Sequence, residues 1–371
     1  MSRTSSARPS SRTSGLCGKL HAMAKKRRPS MRLRRSRELM ATTNGGRPRS
    51  WHRDAAGVVR RNIDPLEYGA ILHSGTGTLW VDINTASSER HALLGSVFGF
   101  HPLSIEDTES TEGRVKFEEY PEYALTVVRG VRFTPETEDR YDIETFNLWC
   151  FLGRNFLVTV HGVHAPGVDS AFERLSRSTE TLERGPSRLL HQVLDATVDA
   201  YFPIIDQLDE FVDGLEERVF VHFEQEALRD IFAVKRLVLQ LRRHMAPMRE
   251  VFNVMQSRPS RLIPPDAQLY FRDVYDHVIR LNESLDSYRD LLSSTLDSYL
   301  MQVSNRLGMV TKSLAVVATM SVPFVVVSGM WGMNLSDIPL AQYPHGFWVM
   351  LALQLGLGAG LLWLLRKRGW L

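Results

Sequence analysis

Cysteine is nearly absent. The 371-residue chain holds two, Cys17 and Cys150, and their unrelated surroundings exclude a disulfide framework and a thiolate metal site. Cys150 reads as a small buried apolar residue. No glycine-rich phosphate loop with its lysine is present, and no nucleophile stands beside an oriented base, so the enzymatic classes that need either are excluded. Charge is missing in two places: residues 314–331 and 347–365 are runs of 18 and 19 residues without Asp, Glu, Lys or Arg. A hydrocarbon core of about 30 Å takes roughly 20 helical residues, so both runs are expected to span a bilayer. Lys and Arg are also missing from the joining loop, residues 332–346, whereas Lys312 precedes the first run and Arg366, Lys367 and Arg368 follow the second. Basic residues stay on the cytoplasmic side, which puts both termini in the cytoplasm and the loop outside.

Charge is unevenly divided elsewhere. Residues 1–61 carry 17 Lys and Arg against Glu38 and Asp54, a net of +15, so the overall +3 leaves −12 for residues 62–371. Residues 1–57 are expected to be a basic, disordered extension, rich in Ser and poor in large apolar side chains. Three readings of it stand open: a solvated tail near anionic lipid, an extension from an upstream start with Met23, Met31 or Met40 as the true beginning, and an organelle transit peptide. Nucleic acid is not expected as a partner.

Order is expected to start near Val58, with a mixed α/β domain over residues 58–188. Leu79 to Ile83 alternates as a strand, residues 123–133 and 146–160 are β-branched and aromatic, residues 89–98 have helical spacing, and His101-Pro102 enters a short helix. The chain reads as helical from Leu189 through Gln256, which gives a helical hairpin region over residues 189–265. From Asp266 no glycine occurs before Gly308 and no proline before Pro323. Apolar residues from Val274 through Leu285, Leu292 and Tyr299 to Leu314 follow steps of three and four. One helix is therefore expected over residues 266–331, about 100 Å long, with the first span at about 312–331. Its near-heptad stripe needs partners, and bundling of identical helices is the economical answer.

Two spans cannot wall off a polar path alone, so a pore requires oligomerisation. If the first spans line it, Asp297, Ser304, Gly308 and Thr311 share the inward face, and Leu314, Ala318 and Val322 form a candidate dewetting gate. Five sets of residues then carry a resemblance over about residues 78–371: Gly329-Met330-Trp331-Gly332-Met333-Asn334 after Pro323; Tyr343-Pro344 with the closing basic tail at 366–371; Trp80-Val81-Asp82; His101-Pro102-Leu103 with Glu106-Asp107; and Tyr270 to His277 with Lys312. Together they resemble the CorA family of divalent-cation (Mg2+/Co2+) transport proteins.

The resemblance implies an α/β cytoplasmic N-terminal domain, a very long helix and two C-terminal transmembrane helices, assembled as a funnel-shaped homopentamer in a bacterial inner membrane. It implies uptake of Mg2+, with Co2+ and Ni2+ as further ions, closed by intracellular Mg2+. Gly332, Met333 and Asn334 become the selectivity filter. The Asn334 amide and the Gly332 carbonyl suit a small ion that gives up water reluctantly. Asp107 and Asp273, with Glu106, become the regulatory metal site, because carboxylates brought together repel until a cation arrives. Asp337 is the acid of the external loop. Gly308 and Val325 depart from the Asn and Thr of many members.

Asp206, Asp209, Glu210, Asp213, Glu216 and Glu217 form an acidic helix like one in the family, and Arg242 and Arg243 read as ion-pair partners. His161 and His164 suggest a metal pair, yet they follow a strand at a turn without a third ligand, which favours a structural reading. Two other functions fit the same residues: a proton-coupled zinc transporter of the same superfamily, and a membrane-anchored cation sensor that does not conduct.

Overall fold

The structure is a computed structural model that describes residues 48–85, 90–110, 113–133, 143–162, 164–222, 226–333 and 343–370. Asn334 and Asp337 lie outside the described residues, as does the basic stretch before residue 48.

A seven-stranded sheet holds the N-terminal half. Its strands are β1 (Arg49–Arg53), β2 (Val59–Arg61), β3 (Thr78–Asn84), β4 (Lys116–Glu119), β5 (Tyr123–Phe133), β6 (Ile143–Gly153) and β7 (Phe156–His161), in the order β2-β1-β3-β7-β6-β5-β4. Only β3 and β7 pair in parallel among these neighbours; every other pair is antiparallel. Successive residues of β3 enter opposite cores, because side chains in a strand alternate faces. Trp80 packs with Leu148, Cys150 and Leu157 on one side, while Leu79, Val81 and Ile83 pack with Leu125 and Phe151 on the other.

Strand structure is already present at Arg49, ahead of the Val58 expected from the sequence. The strand β1 pairs along its length with β3, Arg49 opposite Asp82 and Trp51 opposite Trp80. Its basic composition hides it in the sequence, since only Trp51 is apolar. Burial of its charge is offset by ion pairing: Arg49 bonds Asp82 at 2.6 Å and Asp169 at 2.7 Å.

Short helices cover the sheet. They are α1 (Pro65–Ser74), α2 (Pro102–Asp107), α3 (Pro166–Arg177) and α4 (Pro186–Asp199). Each starts at a proline, which fits the first helical position because the missing N–H would be unpaired there anyway. His101 caps α2, its Nδ1 accepting from the Leu103 amide at 3.2 Å. Gly167 lets α3 press against α4, since a Cβ there would lie 2.3 Å from Thr197 Oγ1.

The segment expected to be helical from Leu189 through Gln256 is divided into α4, α5 (Phe202–Glu217) and α6 (Ala227–Ser257). Pro203 sits in the first turn of α5 and Pro186 in that of α4. The long helix, α7, runs Pro265–Trp331, 67 residues or about 100 Å, and includes Pro323. The last helix, α8 (Gly346–Lys367), returns alongside its end.

The apolar stripe of α7 has two fates. Phe271, Val274, Val278, Leu281, Leu285, Leu292 and Tyr299 are buried within the chain, packed on α6 and also on α4 and α5. Bundling with identical helices is therefore not what covers that part. Leu307, Val310 and Leu314 are 57–65% exposed, so only the stretch beyond Tyr299 is left open.

Candidate functional site: a carboxylate and imidazole cluster at the head of the long helix

Helical spacing builds the cluster. Asp195 and Asp199 stand one turn apart on α4, and Asp273 and His277 one turn apart on α7, so each pair shares a face. Packing of α7 on α4 brings them together. One ligand atom each from Asp195, Asp199 and His277 lies within 4.8 Å of the others, with all three residues half-buried. His277 Nδ1 is 3.4 Å from Asp199 Oδ1.

Electrostatics fit a cation. Burial, and then the neighbouring Asp199, raise the pKa of Asp195; His277 and Arg174 pull it back, and Asp273 adds to the rise. A carboxylate whose proton affinity is raised by a neighbouring carboxylate marks a site that a divalent cation relieves. The donor set offers oxygens for Mg2+ and an imidazole nitrogen for Co2+, Ni2+ or Zn2+. A divalent ion fits these residues.

The expected regulatory residues are placed separately. Asp107 ends α2 and pairs with Lys116 at 2.8 Å, and Lys116 also holds Glu118 at 2.8 Å. Burial lowers the Lys116 pKa, but bonds to Asp107 and then Glu118 outweigh it and leave the value raised. Glu106 is exposed. The described hydrogen bonds and ion pairs of one chain do not join Asp107 or Glu106 to Asp273, which is exposed on α7 beside Asp195.

Asp195, Asp199 and His277 went unassigned in the sequence. The i, i+4 pairs were the available signal, but nothing local says that helices 78 residues apart would meet.

At the membrane end, named contacts join α7 to α8 and to the residues just after it. Lys312 Nζ donates to the Gly369 carbonyl at 2.9 Å, and Gln354 Nε2 to Ser328 Oγ at 3.2 Å. Gly358 receives the ring of Phe324, where a Cβ would lie 2.5 Å from Cζ. The Ser328 backbone carbonyl accepts from the Gly332 amide at 2.9 Å, closing the last turn of α7. Asp297, Gly308, Thr311, Leu314, Ala318, Val322 and Val325 are all exposed on α7 in the single chain. The apolar windows of α7 and α8 are 0% and 11% buried, so lipid or further protein must cover them.

Other candidates resolve into structure. His161 is buried against Asp82 at 3.1 Å, and His164 pairs with Asp169, so the two histidines serve different carboxylates. Arg242 pairs with Asp286 at 2.7 Å. Two acids of α5 turn toward α7: Asp209 accepts from Tyr288 at 2.9 Å and Glu216 from Thr295 at 3.4 Å.

The fold and sequence have known counterparts. The chain is 31% identical to the Bacillus subtilis protein YfjQ over 78% of its own length and 89% of that protein. It is 30% identical to the cobalt/magnesium transport protein CorA of Thermotoga maritima over 75% of this chain and 79% of that one. The complete structure of the CorA magnesium transporter from Methanocaldococcus jannaschii superposes with a TM-score of 0.77 at 20% identity, covering 87% of this chain and 98% of that one. The profile of the CorA-like Mg2+ transporter proteins matches residues 75–367. With a cation-competent cluster at one end of α7 and membrane-length helices at the other, the chain belongs to the CorA-like Mg2+ transporter family, whose members are transport proteins and not enzymes.

Proposed function

We propose that the protein is a homopentameric Mg2+ channel, with Co2+ and Ni2+ as further ions, that mediates uptake down the ion gradient and the membrane potential. The potential supplies about 2.3 kcal/mol per charge per 100 mV, about 4.6 kcal/mol for a divalent ion, so no other energy source is needed. Both termini lie in the cytoplasm of a bacterial inner membrane. Five copies of Gly332-Met333-Asn334 form the filter, with Asp337 drawing cations to the outer mouth. Leu314, Ala318 and Val322 make the apolar gate, and Asp297, Gly308, Thr311 and Val325 line the path.

Closure is set by intracellular Mg2+ at Asp195, Asp199 and His277, with Asp273 beside them and Asp107 and Glu106 brought in by a neighbouring subunit. The observation that carries this reading is continuity: α7 is one helix from His277 to the residue before Gly332. A cation that shifts the head of α7 therefore acts on its membrane end.

Liposomes with the reconstituted protein test the reading. Mg2+ enters under an inside-negative potential in wild type and fails to enter with Asn334→Ala. Zn2+ entry that needs a proton gradient would instead establish a coupled transporter, and no flux of either ion would leave a sensor.

A further inference from the structure

Sharing Asp195 with the cation cluster, α3, α4 and the segment between them border a half-open cavity of about 230 Å3 lined by Arg174, Ser178, Thr181, Arg188, His191, Gln192 and Asp195. By the share of liquid volume per molecule this is room for about eight waters. Its chemistry is mixed. Arg174 is exposed and has no ion pair among the described residues. Arg188 is half-buried; its guanidinium lies 3.0 Å over the ring of Tyr270, and its Nη1 is 3.5 Å from His191 Nδ1. The guanidiniums of Arg174 and Arg188 offer an oxyanion its partners, with Asp195 the carboxylate of the same lining.

Two lining side chains are unsatisfied. His191 and Gln192 are 9% and 7% exposed, yet His191 Nε2 and Gln192 Oε1 are buried without a hydrogen-bond partner. Buried polar groups are ordinarily paired. Arg188 can only donate, so with His191 Nδ1 accepting, the ring proton sits on Nε2, which has the Tyr270 backbone as a weak partner and no full hydrogen bond. Burial, and then Arg188, hold the His191 pKa at about 4, so the ring is neutral. Gln192 Oε1 is an unused acceptor.

A ligand must therefore satisfy opposite demands. A bare anion would meet Asp195, and a bare cation would meet Arg174 and Arg188. A phosphoryl group with a hydrated divalent cation bound to it meets both. Its oxygens accept from Arg174, Arg188 and His191 Nε2, a metal-bound water donates to Gln192 Oε1, and the metal faces Asp195.

We infer that this cavity binds a free phosphate-bearing anion chelated to the divalent cation held at Asp195, Asp199 and His277, so that closure responds to chelated as well as free Mg2+. The inference rests on reading that cluster as a cation site. A lipid headgroup is excluded by distance: His277 and Lys312 are 35 residues apart on one helix, about 50 Å.

The test uses the full chain in detergent micelles and inorganic pyrophosphate as probe, followed by 31P line broadening with and without Mg2+. Saturable broadening that requires Mg2+ is expected, with affinity about tenfold weaker in Arg174→Ala, an exposed position whose loss leaves the fold intact, and in Arg188→Lys, which keeps the charge. No saturable broadening, broadening equal without Mg2+, or broadening unchanged by both substitutions would overturn the inference. The cation reading is checked separately by the Mg2+-induced rise in melting temperature without pyrophosphate. If wild type shows none, that reading fails independently of the pyrophosphate result.

Discussion

His277 Nδ1 stands 3.4 Å from Asp199 Oδ1 across the seam between α7 and α4. The seam sits on the face of α7 that also buries Val274 and Val278, so any ion bound there is coupled to the packing of the long helix.

His277→Ala should separate the ions. Imidazole suits Co2+ and Ni2+, whereas Mg2+ favours oxygen. Titration of the purified protein is expected to give a Co2+ affinity about tenfold weaker and a Mg2+ affinity changed by less than about threefold. Equal losses for both ions would mean that the ring only supports the fold.

Asp195 carries a sign that can be measured. Its folded pKa is raised by burial and Asp199, so the group favours the folded state most at pH below the ordinary carboxylate range. That contribution is lost as pH rises through the raised value. At pH 7 without divalent cation, Asp195→Asn should melt at a higher temperature than wild type, and saturating Mg2+ should abolish the advantage. A lower melting temperature without cation would count against the crowded-carboxylate account.

Asp82 has the opposite sign. Its burial raises the pKa, but His161 and then Arg49 and Thr159 hold it far below the usual range. Stability from this network is present above the ordinary carboxylate range and fades as pH falls through the depressed value. Asp82→Asn is expected to cost about 3 kcal/mol at pH 7, since it removes the buried carboxylate that Arg49, Thr159 and His161 share and leaves Arg49 with Asp169 as its acid. Chemical denaturation at pH 7 and at pH 4 should both show most of that loss.

Gly358→Leu should open the α7–α8 seam, because the position is already filled by Phe324. Cation flux is expected to fall about tenfold or more with reduced thermal stability. Phe324→Ala in the same chain should recover part of both; no recovery would place the defect elsewhere.

Gly308 has no atom within 4 Å of a built Cβ, so Gly308→Asn fits without rearrangement. Combined with Val325→Thr it adds polar groups along the proposed path. Single-channel or liposome flux should rise about threefold. An unchanged rate would show that neither position limits conduction.

The long helix and the two apolar runs were legible because their signal is local: hydropathy and spacing of consecutive residues survive any tertiary context. β1 was not, because Arg49, His52 and Arg53 read as a solvated tail until Asp82 and Asp169 are in place beside Arg49. β2 and β4 are short and polar for the same reason that hides edge strands generally: they face water on one side. The acids at 107 and 273 drew notice through their family resemblance. Asp195 and Asp199 did not, since each resembles a surface residue of α4 until α7 lies across them. The long stripe of α7 was legible as apolar, but not which partner buries it, for a stripe fits a helix of its own chain as well as a copy.

The single helix between the cluster and Gly332 is also a matter of leverage. From His277 to Gly332 it rises about 80 Å at 1.5 Å per residue, so a rotation of about 2° at the head sweeps the far end through about 3 Å. A side-chain-sized displacement at Gly332 thus needs only a fraction of an ångström at the first turn of contact below the cluster, an adjustment within the reach of one bound ion.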